Sequence, residues 1–131
     1  MSDMLNKTQE VVKEAENLGA DEVIAKTTLG KYRQVRFSNN QVDITVAWND
    51  YVTDVALAWK KRLVATQIHN FVDVGKNLKQ LLKLAKVSKE NPTFGGFAKG
   101  TFHYARSKAD RKIMELENPT DLVFQAVEAA R

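Results

Sequence analysis

The sequence predicts an α+β domain built as a two-layer sandwich, with about five mainly antiparallel strands and flanking helices on one face of the sheet. Apolar and polar side chains alternate along residues 22–69, which indicates strands, because successive side chains of a strand point to opposite faces. Two amphipathic stretches with helical spacing, residues 2–18 and 74–88, flank that region. The connections between the predicted strands are short, which favours antiparallel pairing.

The first predicted helix begins at Ser2 or Asp3, either of which can cap its amino terminus, and runs to about Leu18. Four residues near one face form its predicted apolar stripe: Leu5, Val12, Ala15 and Leu18. Gly19 follows directly. Because glycine adopts positive φ without steric cost, it predicts a left-handed cap at the end of this helix.

Five strands are predicted after the first helix, at about residues 22–29, 32–37, 42–48, 51–59 and 63–69. The predicted turns between them are Gly30-Lys31, Asn39-Asn40, Asn49-Asp50 and Lys60-Lys61-Arg62. Such short connections join strands that are neighbours in the sheet. The sequence therefore predicts an antiparallel meander that organises the rest of the chain.

Four aromatic residues lie along this meander: Phe37, Trp48, Tyr51 and Trp59. Their alternation with polar residues predicts that most of them point into the core. The alternative is an exposed platform on which the bases of single-stranded nucleic acid stack.

The second predicted helix spans about residues 74–88, with Asp73 as its capping residue. Its apolar stripe consists of Val74, Leu78, Leu81, Leu82 and Ala85. Lysines three or four positions apart form a basic ridge on its other side: Lys76, Lys79, Lys83 and Lys86. Residues 60–112 carry thirteen basic and three acidic side chains in total. The ridge is therefore either a solvated helix face or a contact for an anionic partner such as nucleic acid.

Beyond residue 90 the pattern changes to a loop-rich connection over residues 91–117. Asn118 and Pro119 then predict the start of a final helix, because asparagine caps helices and proline suits their first position. The apolar stripe of that helix is Leu122, Val123, Ala126, Val127 and Ala130. We expect an α+β domain over residues 1–90, followed by the connection. The helix over residues 118–131 either begins another domain or packs back on the first.

Length and composition restrict the class of protein. The 131 residues suffice for one domain, or for one domain and part of a second, and 44% hydrophobic and 27% charged residues are ordinary for a soluble protein. We expect a cytoplasmic protein without membrane association, since no apolar run is long enough to cross a bilayer and no signal-peptide pattern is present. The absence of cysteine excludes disulfides, thiolate metal sites and a cysteine nucleophile.

The sequence predicts no catalytic, cofactor-binding or metal-binding residue in this chain. A zinc hydrolase needs about three nitrogen or oxygen ligands, yet the two histidines, His69 and His103, stand 34 residues apart. Asp43 and Asp54 lie on neighbouring predicted strands. They form either a carboxylate pair suited to acid–base chemistry or two ordinary exposed residues. Asp50, in a predicted turn, is the third carboxylate of this region.

Several short motifs follow one another in a recognisable order. Gly19-Ala20-Asp21-Glu22 comes after the first helix, residues 35–42 read VRFSNNQV, and Asn91-Pro92, Gly95-Gly96 and Asn118-Pro119 follow. In this order and spacing they resemble the start of the TldD/PmbA family, which has been labelled modulator of DNA gyrase and contains metalloproteases. The resemblance covers most of the chain. It departs from the family where glycine-rich strands are usual, since residues 54–56 and 63–65 read DVA and LVA.

The resemblance implies an N-terminal, non-catalytic domain that shapes peptide binding or subunit assembly. Its implied partners are a peptide or protein substrate and family subunits in a homo- or hetero-oligomer. The family's catalytic branch carries a His-Glu-x-x-x-His metal motif much later in the chain, and no His-Glu pair occurs here. Zinc would accordingly belong to a C-terminal domain outside this sequence. Two alternatives come from other classes: a small basic nucleic-acid-binding module and a free-standing structural interaction domain.

Overall fold

The residues that the computed structural model describes, 2–105 and 107–130, form four helices and one three-stranded antiparallel sheet. In chain order the elements are α1 (Ser2–Asn17), β1 (Glu22–Ser38), β2 (Gln41–Trp59), β3 (Arg62–His69), α2 (Val74–Val87), α3 (Arg111–Met114) and α4 (Thr120–Ala129). The strands lie side by side in the order β1-β2-β3. The predicted α+β class is confirmed.

The prediction of five strands is wrong, because two of the predicted turns lie inside strands. Gly30-Lys31 belongs to β1 and Asn49-Asp50 to β2, so each long strand replaces two predicted ones. Strand backbone groups pair with those of the neighbouring strand, and here that pairing outweighs a local preference for turns. The reversals fall at Asn39-Asn40 and Lys60-Lys61, whose φ angles of 47°, 61°, 45° and 59° are those of two-residue hairpin turns.

The chain divides into two compact units. The first unit, Met1–Gly30 with Asp50–Gly100, contains α1, β3, α2, the first part of β1 and the last part of β2. The second unit, Lys31–Asn49 with Thr101–Arg131, contains the remainder of β1 and β2 together with α3 and α4. The domain boundaries expected from the sequence stay a prediction.

In the first unit both long helices contribute to one core on a single face of the sheet. The core comprises Val11 and Ala15 of α1, Leu78, Leu81, Leu82 and Ala85 of α2, and Val55, Leu57, Val64 and Ile68 of the strands. Val55 pairs with Thr66 and Leu57 with Val64 across the antiparallel β2–β3 ladder, so these side chains share the covered face. Within this unit the arrangement agrees with a two-layer sandwich whose helices lie on one face.

The buried face of α2 follows the sequence pattern more closely than that of α1. The predicted stripe of α2 is confirmed, since Leu78, Leu81, Leu82 and Ala85 are buried. On α1 the buried residues are Val11 and Ala15, whereas Leu5 is 58% exposed. Thr8 also faces inwards, where its hydroxyl is hydrogen-bonded to that of Thr27. Because Thr8 is polar, apolar residues at helical spacing do not mark the whole of the buried face of α1.

Helix α1 ends at the glycine that the sequence indicated. Gly19 has φ of +103°. Its N–H donates to the Glu16 carbonyl at 2.9 Å, and the Ala20 N–H donates to the Ala15 carbonyl at 3.1 Å. This pair of bonds is the Schellman pattern, which satisfies carbonyls that a helix end leaves unpaired. Asp73 occupies the predicted capping position before α2, but its φ is 51° and its side chain makes no capping bond.

Gly19→Ala is expected to lower the free energy of unfolding by about 1–2 kcal/mol, because a residue with a Cβ is strained at this φ. No atom lies within 4 Å of the added Cβ, so the cost is conformational. The matched control is Gly75→Ala in α2, whose Cβ would meet the end of the flexible Glu14 side chain and whose alanine favours helix. Urea denaturation checks both variants. Equal losses at the two positions would contradict the expectation.

Helix α4 of the second unit begins close to the predicted position. Asn118 Oδ1 accepts a hydrogen bond from the Thr120 N–H at 3.0 Å, as expected of a capping residue. The helix starts at Thr120, with Pro119 as its capping position. Its predicted apolar stripe holds only in part, since Val127 is buried but Leu122 is 54% exposed. No helix in the described part of the chain is long and apolar enough to cross a membrane.

Candidate functional site

The first unit contains a groove of about 540 Å³ beside the start of α1 and the segment that joins β3 to α2. Seven residues line it: Asp3, Met4, Lys7, Leu29, Tyr51, Asn70 and Phe71. Apolar walls with a few polar groups are typical of sites that bind small molecules or peptide side chains. Only Tyr51 among these residues stood out in the sequence as a possible ligand contact. The position of the β3–α2 segment, which completes the groove, has no local sequence signal.

Hydrogen bonds between β2 and the segment after β3 hold the aromatic wall of this groove. The Asn70 N–H donates to the Tyr51 carbonyl at 2.7 Å, and the Tyr51 N–H donates to Asn70 Oδ1 at 3.0 Å. Asn70 and Phe71 take φ of 52° and 55°, which turns the chain out of the strand. The Phe71 and Tyr51 rings lie 6.2 Å apart, tilted by 44°. These hydrogen bonds hold together the two segments that carry the rings.

An exposed ion pair stands beside the aromatic wall. Lys7 Nζ lies 3.1 Å from Asp3 Oδ2, one helical turn away, and 5.9 Å from the centre of the Phe71 ring. A cation near an aromatic face is attracted by the ring's electron density. The groove can thus offer a ligand apolar contact at the aromatic wall and a charged partner in the neighbouring ion pair.

A second hollow, of about 440 Å³, lies on the sheet in the first unit. It is lined by Ile24, Lys26, Asp54, Val55, Ala56, Ala65, Thr66 and Gln67. Gln67 Nε2 donates to Asp54 Oδ1 at 2.7 Å across a β2–β3 pair, so this carboxylate already has a partner. The hollow therefore offers apolar side chains and a carboxylate that is already hydrogen-bonded.

Two of the family-like motifs meet at one end of the sheet. Glu22 Oε2 accepts a hydrogen bond from the Phe97 N–H at 2.7 Å. A Cβ on Gly96 would stand 2.8 Å from the same carboxylate, so glycine permits the close approach. Next to it, Asp21 Oδ2 accepts a hydrogen bond from the Lys60 N–H at 2.6 Å. The Glu22 contacts anchor the loop after α2 to the start of β1, and the Asp21 contact anchors the turn between β2 and β3. Motif order does not reveal these structural roles.

The lysines of the predicted basic ridge are all exposed on α2: Lys76, Lys79, Lys83 and Lys86. The first and the last are ten positions apart, which is about 15 Å of helix at 1.5 Å per residue. Their part in binding an anion stays a prediction.

Lys86 also belongs to a group that the sequence did not reveal. Its Nζ lies 5.8 Å from the centre of the Trp59 ring. Lys60 Nζ approaches the same ring at 4.8 Å, and Arg62 Cζ at 5.6 Å. We refer to Trp59, Lys60, Arg62 and Lys86 as the Trp59 cluster. It brings together the end of β2, the turn after it, the start of β3 and the end of α2.

The prediction that most aromatic residues of the meander are buried is wrong. Phe37 is 54% exposed, Trp48 43% and Tyr51 37%, while Trp59 is half-buried against the core. Alternation along a strand shows which side chains share a face, but not whether another element covers that face. In the second unit Trp48 stacks on Tyr32 with ring centroids 5.1 Å apart, so one face of its indole is occupied.

Of the two alternatives for Asp43 and Asp54, the carboxylate pair is the wrong one. Asp43 and Asp54 both lie on β2, eleven positions apart, because Asn49-Asp50 is not a turn. Asp50 Oδ2 instead lies 3.4 Å from His69 Nδ1. Both His69 and His103 are exposed. Within residues 2–105 and 107–130, no group of three or more histidine, aspartate or glutamate side chains is placed to hold a metal ion.

Comparison with known proteins bears on the fold. No family model matches the sequence, and no curated protein matches it significantly. The structure is similar to the crystal structure of TldE from Thermococcus kodakarensis, with a TM-score of 0.74 and 15% sequence identity over 95% of this chain. The chain has the fold of part of TldE. It spans 29% of the length of that protein.

The likeness to TldE agrees with the order of motifs in the sequence. At 15% identity it concerns the fold, which is that expected of a TldD/PmbA-type domain. The motifs at Asp21-Glu22 and at Gly95-Gly96, far apart in the chain, are in contact through Glu22. The order of the motifs and the fold likeness therefore agree with each other.

Proposed function

We propose that this chain is the N-terminal, non-catalytic domain of a TldD/PmbA-type protein and that it binds peptide for catalytic groups located elsewhere. The observation that carries the proposal is the fold likeness to TldE, which covers 95% of this chain but 29% of that protein. The motif resemblance, with its implied peptide processing or proteolysis, adds support. In this proposal the domain also takes part in assembly with family subunits in the cytoplasm.

The groove beside Tyr51 and Phe71 is the proposed peptide site. Its aromatic wall can take an apolar side chain, while Lys7 and Asp3 can pair with charged groups of a peptide. Leu29, in the same groove, belongs to β1, which is an outer strand of the sheet. Within the described residues no further strand pairs with that outer edge. An extended peptide added along β1 by main-chain hydrogen bonds would therefore reach the groove.

Tyr51→Ala is expected to weaken peptide binding by roughly ten-fold or more, since aromatic residues in pockets supply much of the binding energy at interfaces. The probe is a set of fluorescent decapeptides with apolar side chains at alternate positions, followed by anisotropy. Tyr104→Ala is the matched control, because Tyr104 is 86% exposed in the second unit. Circular dichroism verifies the fold of both variants. Unchanged affinity of the Tyr51 variant would place the peptide site elsewhere.

The non-catalytic part of the proposal has its own test. The purified chain is expected to leave the same decapeptides intact over hours and to hold no stoichiometric zinc after dialysis against zinc and measurement by metal analysis. Peptide hydrolysis, or one zinc per chain, would overturn it. A stable oligomer in light scattering, together with no peptide binding at all, would favour the free-standing structural interaction domain instead.

A further inference from the structure

The Trp59 cluster concentrates positive charge at one end of the first unit. Lys60, Arg62 and Lys86 all lie less than 6 Å from the centre of one indole ring. Like charges gathered in this way repel one another, although the negative face of the ring offsets part of the repulsion. Lys60 and Lys86 are exposed. An anion at this point would relieve the repulsion that the fold maintains.

The acidic side chains close to the cluster are already engaged. Glu90 lies 3.8 Å from Arg62 Nη2 and is about half exposed. Asp21 accepts a hydrogen bond from the neutral Lys60 backbone N–H and keeps its negative charge, whereas Glu22 lies 3.8 Å from Lys99 Nζ and pairs with that cation. Glu90 and Asp21 therefore stand against the three cations, and the cluster keeps a small positive excess.

Arg62 is held in place before any ligand arrives. Its Nε donates to the Ser88 carbonyl at 3.0 Å, and its Nη1 lies 3.5 Å from the Lys60 carbonyl. Its side chain is only 26% exposed. A fixed guanidinium beside two flexible ammonium groups suits carboxylates, because less side-chain freedom is lost on binding.

We propose that the Trp59 cluster binds an acidic polypeptide segment, in which two or more aspartate or glutamate side chains lie close together. The cluster is separate from the peptide groove, since Trp59 and Tyr51 stand eight positions apart on β2, about 26 Å at the usual strand rise. The proposal does not depend on binding at the groove. It assigns a second partner surface to the domain.

Carboxylates fit the cluster better than nucleic acid does. Binding of single strands combines cations along a backbone with aromatic faces free for base stacking. The Trp59 ring is surrounded by the chain's own cations, and the Trp48 ring already stacks on Tyr32. A nucleic acid would also use the full length of the lysine ridge, whereas an acidic segment at the cluster uses Lys86 alone among those lysines.

The test uses the intrinsic fluorescence of Trp59. The chain has two tryptophans, so Trp48→Phe leaves Trp59 as the single reporter. Titration with decaglutamate is expected to give a saturable change in emission that weakens with added salt. The double variant Lys60→Gln, Lys86→Gln is expected to weaken binding by about ten-fold or more. Lys76→Gln with Lys79→Gln removes the same charge from exposed positions of α2 and is expected to change it less than about two-fold.

Three outcomes would overturn the proposal. The first is equal binding of decaglutamine, which would show that charge is not recognised. The second is an equal loss in the control variant, combined with tighter binding of a single-stranded oligonucleotide, which would assign the ridge to nucleic acid. The third is an unchanged Trp59 signal with decaglutamate.

Three controls accompany the test. Circular dichroism shows whether each variant is folded. The double variant Lys60→Arg, Lys86→Arg keeps the positive charge and should retain binding. Tyr51→Ala should leave decaglutamate binding intact, which separates this test from that of the groove.

Discussion

Leu78→Ala is expected to lower the free energy of unfolding by about 3–4 kcal/mol. Leu78 is 0% exposed and belongs to the core that α1, α2 and the sheet share. Truncation removes buried methyl groups and leaves a cavity between helix and sheet that the packed neighbours refill only in part. Urea denaturation measures the loss. The unfolding free energy should depend on urea concentration with the same slope in the variant and in the original chain.

Leu84→Ala is the matched control for this expectation. Leu84 lies on the same helix but is 52% exposed, so the same change is expected to cost about 1 kcal/mol or less. The difference between the two variants isolates the effect of burial from that of helix propensity. Equal losses would mean that α2 does not pack on the sheet as the structure has it.

Thr27→Val is expected to lower the free energy of unfolding by about 1–3 kcal/mol, although the two side chains have nearly the same shape. Thr8 Oγ1 donates to the Met4 carbonyl at 2.8 Å. The Thr8 and Thr27 hydroxyl oxygens lie 2.6 Å apart, and those of Thr27 and Thr53 lie 2.9 Å apart. Each hydroxyl has one proton, so Thr53 donates to Thr27 and Thr27 donates to Thr8. Valine at position 27 leaves the hydroxyl of the fully buried Thr53 unpaired.

A double-mutant cycle gives this second expectation its control. In the double variant Thr27→Val, Thr53→Val no buried hydroxyl at position 53 is left without a partner. The double variant is therefore expected to lose less unfolding free energy than the sum of the losses in the two single variants. Thr27→Ser keeps the hydroxyl and should retain most of the stability. Additive losses in the cycle would show that the hydroxyls are not coupled.

The sequence by itself determined the features that depend on neighbouring residues. The apolar stripe of α2 was readable because 3.6-residue periodicity places its members on one face whatever surrounds them. The Gly19 cap and the reversal at Asn39-Asn40 were readable because their backbone conformations favour glycine or asparagine locally. The order of weak motifs carried the resemblance to the TldD/PmbA family, and the fold of TldE agrees with it.

Only the tertiary structure decided the features that depend on distant residues. Asn49-Asp50 became part of a strand because pairing with a neighbour outweighed the local turn signal. The exposed aromatic residues could not be told from core residues, since alternation does not show which face another element covers. The groove at Phe71 and the Trp59 cluster each join segments from separate elements. Their chemistry arises from long-range packing, which no spacing along the chain encodes.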